Sequence, residues 1–130
     1  MLFRSLGLDN ITAIAGRAEE YASKEEYREK FDIATARAVA ALPILSELCL
    51  PFVKVGGYFV AMKAAQGENE AASAANAIKL CGGDTASVDR LELTANKVDF
   101  ESRIIVISKK IAATPAKYPR HYSQISKKPL

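Results

Sequence analysis

The stretch FDIATARAVAALPILSELCLPFVKVGGYFVAM, residues 31–62, decides the fold. Phe31 to Thr35 is apolar, partly β-branched and bounded by polar residues, which predicts a buried strand. Val39 to Val53 carries apolar residues on most faces and predicts a helix packed on a sheet. Pro43 falls in its first turn and Pro51 near its end, where proline is tolerated. Gly56-Gly57 predicts a turn, and Tyr58 to Lys63 the next strand. Strand, helix, strand is one crossover unit of a parallel sheet. Arg37 lies where the first strand hands over to the helix. Ligands of open parallel sheets bind beyond the carboxyl ends of the strands. A second segment, GRAEE from Gly16 to Glu20, follows a short predicted strand at Ile11 to Ala15 and belongs to the same end.

Outward from that unit the pattern continues. Leu2 to Leu8 reads as the end of a helix closed by Gly7 or by Asp9-Asn10. Glu19 to Lys30 has charges at helical spacing and reads as an exposed helix or helical loop. Glu68 to Leu80 is an alanine-rich helix stopped at Gly82-Gly83. Val88 to Leu93 and Arg103 to Ser108 are two strands, and the short polar link between them predicts a hairpin. Prolines and bases from Ile111 onward predict an extended tail. The fold class is therefore α/β, a parallel sheet ending in an antiparallel hairpin, with a domain over 1–110 and a basic tail over 111–130.

Composition fits one soluble globular domain: 130 residues, 49% hydrophobic and 25% charged. No apolar run is long enough to span a bilayer, so no membrane is expected. The first ten residues lack the layout of a signal peptide. Cys49 and Cys81 lie far apart, which favours two buried thiols in a reducing, cytoplasmic setting over a disulfide or metal pair. The net charge of +3 hides an asymmetry. Beyond Glu101 there are seven basic residues and no acidic one. A basic arm suits a polyanion, or simply keeps the chain soluble. Tyr118, His121 and Tyr122 among those bases tilt the balance toward nucleic acid, because rings stack on bases.

Several chemistries are excluded by the residues at hand. The one histidine, His121, lies in the tail, so the sheet holds no Ser-His-Asp or Cys-His relay. No Cys/His spacing suits zinc, so no metal is expected. No glycines form a dinucleotide fingerprint or a P-loop. What remains near strand ends is Arg17, Glu19, Glu20, Arg37 and Lys63. Glu19 suits an adenine edge, or is a helix N-terminal charge. Arg37 suits a carboxylate or phosphate, or pairs with Asp32 or Glu47. Lys63 suits a ligand, or is a solvated strand end.

GRAEE, FDIATARAVAAL, LPFVKVGGYFVAMK and the closing KYPR and KKPL together resemble the glucose-inhibited division protein B family. These are small-subunit ribosomal RNA methyltransferases that use S-adenosylmethionine to methylate guanine at N7. The resemblance runs in order over nearly the whole chain. It implies a Rossmann-like methyltransferase fold, for which a closing hairpin is typical. It also implies cofactor contacts at Ala18 and Glu19, from the alanine-glutamate pair of GRAEE, and at Arg37 in the TARA segment. The partner it implies is 16S ribosomal RNA in the small ribosomal subunit, and the tail cations Lys117, Arg120, Lys127 and Lys128 are the candidates to touch it. Two positions depart from the family pattern: Ala64 replaces a glycine, and HYSQIS replaces a Pro-Gly-Ile-Pro segment. The family's N-terminal helices, glycine-rich strand-loop and acidic second strand have no counterpart here. The chain resembles the C-terminal half of such an enzyme, truncated at its start. On that basis it is expected to be inactive alone and to leave the FDIATA strand with an open, association-prone edge.

Guanine N7 carries a lone pair and no proton, so its methylation needs alignment rather than a general base. Two other readings stand beside this one. The first is a non-catalytic RNA-binding or regulatory module that uses the basic tail. The second is half of a nicotinamide enzyme, disfavoured by the glycine positions and the closing hairpin.

Overall fold

The structure, a computed structural model, describes residues 5–37, 40–64, 71–95 and 99–130, with side chains outside 64, 90–95 and 99–102. Helix α1 spans Ala18–Ala22, strand β1 Phe31–Arg37, and helix α2 Leu42–Cys49 followed by a 3₁₀ turn at Leu50–Phe52. Strand β2 spans Val53–Ala64, helix α3 Ala75–Leu80, strands β3 and β4 Ser87–Ala95 and Asp99–Lys109, and helix α4 Tyr122–Lys127. The four strands form one sheet in the order β1-β2-β4-β3. β1 and β2 are parallel, whereas β4 is antiparallel to both of its neighbours. The crossover and the closing hairpin are both as the sequence predicts.

α2 starts later than its apolar pattern suggests because Pro43 occupies its opening turn. It ends where Pro51 withholds an amide and the chain tightens into the 3₁₀ turn. Gly56-Gly57 is not a turn between elements but an irregularity inside β2, between the pairings Phe31↔Val53 and Ile33↔Tyr58. Gly56 takes φ +95°, which a side chain rarely tolerates. A Cβ on Gly57 would strike the Asp32 carbonyl of β1 and the Val53 side chain. Two glycines thus let β2 bulge and still lie against β1.

One face of the sheet is covered. Phe59 and Ala61 of β2 and Ile104 and Val106 of β4 pack with Leu42, Leu45, Leu50, Ile78 and Cys81 in a solvent-excluded core. On the other face Tyr58, Met62 and Ile33 remain 41%, 40% and 55% exposed. β1, expected to be buried, is mostly exposed because it is the sheet edge and belongs partly to that open face. Residues 11–15, expected as a strand, are irregular and exposed. A strand needs a ladder partner, and among the described residues none pairs with them. α1 is a short helix that runs on into hydrogen-bonded turns up to residue 29, within the expected helix or helical loop, and the expected helix over Glu68 to Leu80 lies partly outside the described residues.

The tail is not extended. Thr114, Tyr118 and Ile125 are buried against the body. Arg28 grips it through the carbonyls of Thr114, Pro115 and Tyr118 at 3.0, 3.0 and 2.8 Å. The Thr114 hydroxyl donates to the Cys81 carbonyl at 2.6 Å. Apolar residues spaced among the bases supply the burial that overrides the proline signal. Both cysteines are free, and burial pushes each thiol up to about 12. No helix among the described residues is long and apolar enough to cross a membrane.

Candidate functional site

Glu19 sits in α1, whose first turn is acidic and so complements the helix dipole. Its side chain is 8% exposed and its carboxylate lies 3.8 Å from Arg17. Arg17 in turn lies over the Tyr122 ring, 5.6 Å from its centroid, which brings GRAEE alongside the tail helix. Ala18 lines a cavity of about 590 Å³ with Thr12, Ile14 and Gly16 and four rings, Tyr21, Tyr27, Phe31 and Phe52. Tyr21 and Tyr27 meet edge to face at 5.4 Å, and Phe31 and Phe52 at 6.1 Å. The rings suit a flat aromatic group such as adenine.

Arg37 closes β1 in register with Met62, exposed on the open face. Neither carboxylate considered for it is its partner. Asp32 pairs with Lys54, and Glu47 with Arg120. Ala18 shares its cavity with Phe31 at the start of β1, whereas Arg37 ends the same strand, about 20 Å along it at ~3.3 Å per residue. The structure therefore does not bring Ala18 and Arg37 together. Residues 11–15, which lead into GRAEE, are irregular and exposed rather than a strand of the sheet.

Lys63 is not a solvated strand end. It is buried and donates to the Ala40 carbonyl at 2.7 Å, pinning the chain beyond β1.

The tail cations divide. Arg120 is held by Glu47, a fully buried carboxylate, through Nη2 at 2.7 Å, Nε at 3.1 Å and its own backbone amide at 2.7 Å. Its Nη2 also reaches the Lys128 carbonyl at 2.8 Å. That guanidinium fastens the tail to α2. Lys117 lies over the Tyr118 ring at 5.3 Å. Lys127 and Lys128 are exposed and line a surface cavity of about 400 Å³ with Arg120, Ser123 and Gln124.

Sequence reasoning missed Lys110. It is fully buried and donates to the Leu50 and Val53 carbonyls at 2.7 and 2.8 Å, with Glu29 at 3.8 Å. Desolvation lowers it to about 8 against the opposing pull of Glu29. Its position in the β4 alternation was a usable signal, since Ile104, Val106 and Ser108 point inward ahead of it.

A parallel crossover, an antiparallel closing pair and a cationic tail folded against them define an α/β domain built on a mixed sheet. The family model described as rRNA small subunit methyltransferase G (GidB) matches residues 1–98. Proteins named "Ribosomal RNA small subunit methyltransferase G" match as well. That of Brevibacillus brevis is 50% identical over 98% of this chain and 52% of its own length. That of Lactobacillus johnsonii is 46% identical over 99% of the chain and 53% of its own. A solved SAM-dependent methyltransferase from Methanosarcina mazei is similar at TM-score 0.46 and 13% identity, over 69% of this chain and 64% of that one. The chain belongs to the rRNA small subunit methyltransferase G family. It spans about half the length of the curated relatives it matches.

Proposed function

We propose that this chain serves the transfer of a methyl group from S-adenosylmethionine to guanine N7 in 16S ribosomal RNA, in the cytoplasm, and contributes part of the site. The observation that carries this is the 50% identity to a protein named for rRNA methylation, along 98% of the chain. Ala18 and the rings around it suit the adenine of the cofactor, and the shielded Glu19 carboxylate suits its polar edge. Arg37, with five donors and no carboxylate partner among the described residues, suits an anionic group of the cofactor. The cofactor supplies an electrophilic methyl. The chain's own work is to hold the guanine in line with it, because N7 has no proton to remove. The tail, with exposed Lys117, Lys127 and Lys128, supplies the positive surface that RNA phosphates require, whereas Arg120, a cation expected to join them, is committed to Glu47.

Because Ala18 and Arg37 stand apart, the chain by itself holds only part of a cofactor site. Titration calorimetry of the isolated chain with S-adenosylmethionine is expected to show no saturable binding below millimolar ligand. A micromolar Kd contradicts the partial-site reading. The same separation favours a second reading, an RNA-binding module without catalysis. RNA binding that never supports methyl transfer in any longer form of the chain would select it.

A further inference from the structure

α4 and its flanks form a recess whose lining carries no acidic side chain: Arg120, Ser123, Gln124, Lys127 and Lys128. Ser123 and Lys127 are four residues apart and share a face of the helix. Glu47, behind the recess, is fully buried and satisfied by Arg120, so it presents no charge to the recess. Arg120 spans the structure beneath, from Glu47 to the Lys128 carbonyl, and fixes where Lys128 stands. The Ser123 hydroxyl lies 3.0 Å from His121 Nδ1, which orients it. The mount is rigid: Ile125 is fully buried, and Arg28 holds the chain leading into the helix.

Two exposed lysines, a serine and a glutamine line one shallow concave spot. Hydrogen-bond donors around concentrated positive charge match a phosphodiester better than a base edge or a carboxylate on a protein surface. We propose that this recess is a phosphodiester-binding pocket that grips the backbone of the RNA, with Lys127 and Lys128 as its charges, Ser123 and Gln124 as its neutral donors, and Arg120 and Glu47 as positioning residues. The proposal rests on the RNA reading above and sharpens it, because Lys117 lies outside the pocket, over Tyr118.

The test is the salt dependence of binding a single-stranded RNA oligonucleotide, read by fluorescence anisotropy on the full chain. Each neutralised phosphate contributes about 0.7 to the slope of log K against log salt for single strands. The double variant Lys127→Gln/Lys128→Gln is expected to lower the slope by about 1.4, and Lys117→Gln by much less. Both lysines are exposed, so the variants are expected to keep the parent's thermal midpoint. RNA binding with an unchanged slope in the double variant overturns the pocket and leaves the RNA reading standing. A loss of about 0.7 from Lys117→Gln, equal per lysine to that of the double variant, also overturns it, in favour of diffuse attraction along the tail. No RNA binding by the parent chain overturns both the pocket and the RNA reading.

Discussion

Lys110 places an ammonium where no solvent reaches it, and the cost shows in a pKa lowered to about 8. In the unfolded chain a lysine titrates near 10.4. Between about 8 and 10.4 the unfolded state therefore binds more protons than the folded one, and stability from this group rises with pH across that window. The rise amounts to roughly 3 kcal/mol at most. Burial of Cys49 and Cys81 pulls the other way above pH 9 in any variant that keeps them, so the lysine is read as a difference: from pH 8 to pH 10 the parent's urea stability is expected to gain about 2 kcal/mol relative to that of Lys110→Met, which lacks the titrating group. A midpoint that falls equally in both proteins contradicts this account of Lys110. Arg120 makes the second residue-scale prediction. Removing one partner of a buried ion pair costs about 3–5 kcal/mol. Arg120→Ala is expected to lower urea stability by about 3 kcal/mol, because it strands the fully buried Glu47 carboxylate. A loss below 1 kcal/mol would mean water satisfies Glu47. Arg120 was legible as a cation but not as a structural one. Its partner is 73 positions away, and spacing alone cannot match a tail guanidinium to a helix carboxylate.

Elements were legible where local chemistry is decisive. Strands expected at Tyr58 to Lys63 and Arg103 to Ser108 lie inside β2 and β4, and the helix expected over Val39 to Val53 holds α2 in its middle, trimmed where the prolines stand. The strands' register depended on Gly57, whose missing side chain admits the Asp32 carbonyl. Gly57→Ala is expected to push β1 from β2 and cost about 2 kcal/mol or more, measured by thermal or urea unfolding. An unchanged midpoint would mean that the edge strand shifts freely. β1 itself was misread as buried, because burial of a strand depends on neighbours that its own sequence does not contain. The same holds for residues 11–15, apolar enough for a strand but without a ladder partner among the described residues. Ile33 projects from the edge strand at 55% exposure, where it invites pairing with another chain. Ile33→Lys is expected to reduce concentration-dependent association in sedimentation velocity while leaving the unfolding midpoint nearly unchanged. Association undiminished in that variant locates the sticky surface elsewhere.

At the scale of the molecule, one sheet face is packed and the other stands open, with Tyr58, Met62 and Ile33 showing. Doubly wound folds cover both faces, and this chain spans about half the length of its relatives. Ala18 and Arg37 stand at opposite ends of β1. The family motifs pointed to both residues, but nothing in the sequence told how far apart they would stand. The tail was legible as basic but not as folded, since its docking depends on Arg28 and Glu47, both distant in sequence. The most direct test of the central claim joins the N-terminal part of the Brevibacillus brevis relative to this chain. Transfer of labelled methyl from S-adenosylmethionine to guanine N7 of small-subunit RNA is then measured, with and without Arg37→Ala. The account predicts methyl transfer by the joined protein, at least tenfold less with Arg37→Ala, and none by this chain alone. A joined protein that folds, binds the RNA and transfers no methyl would contradict it.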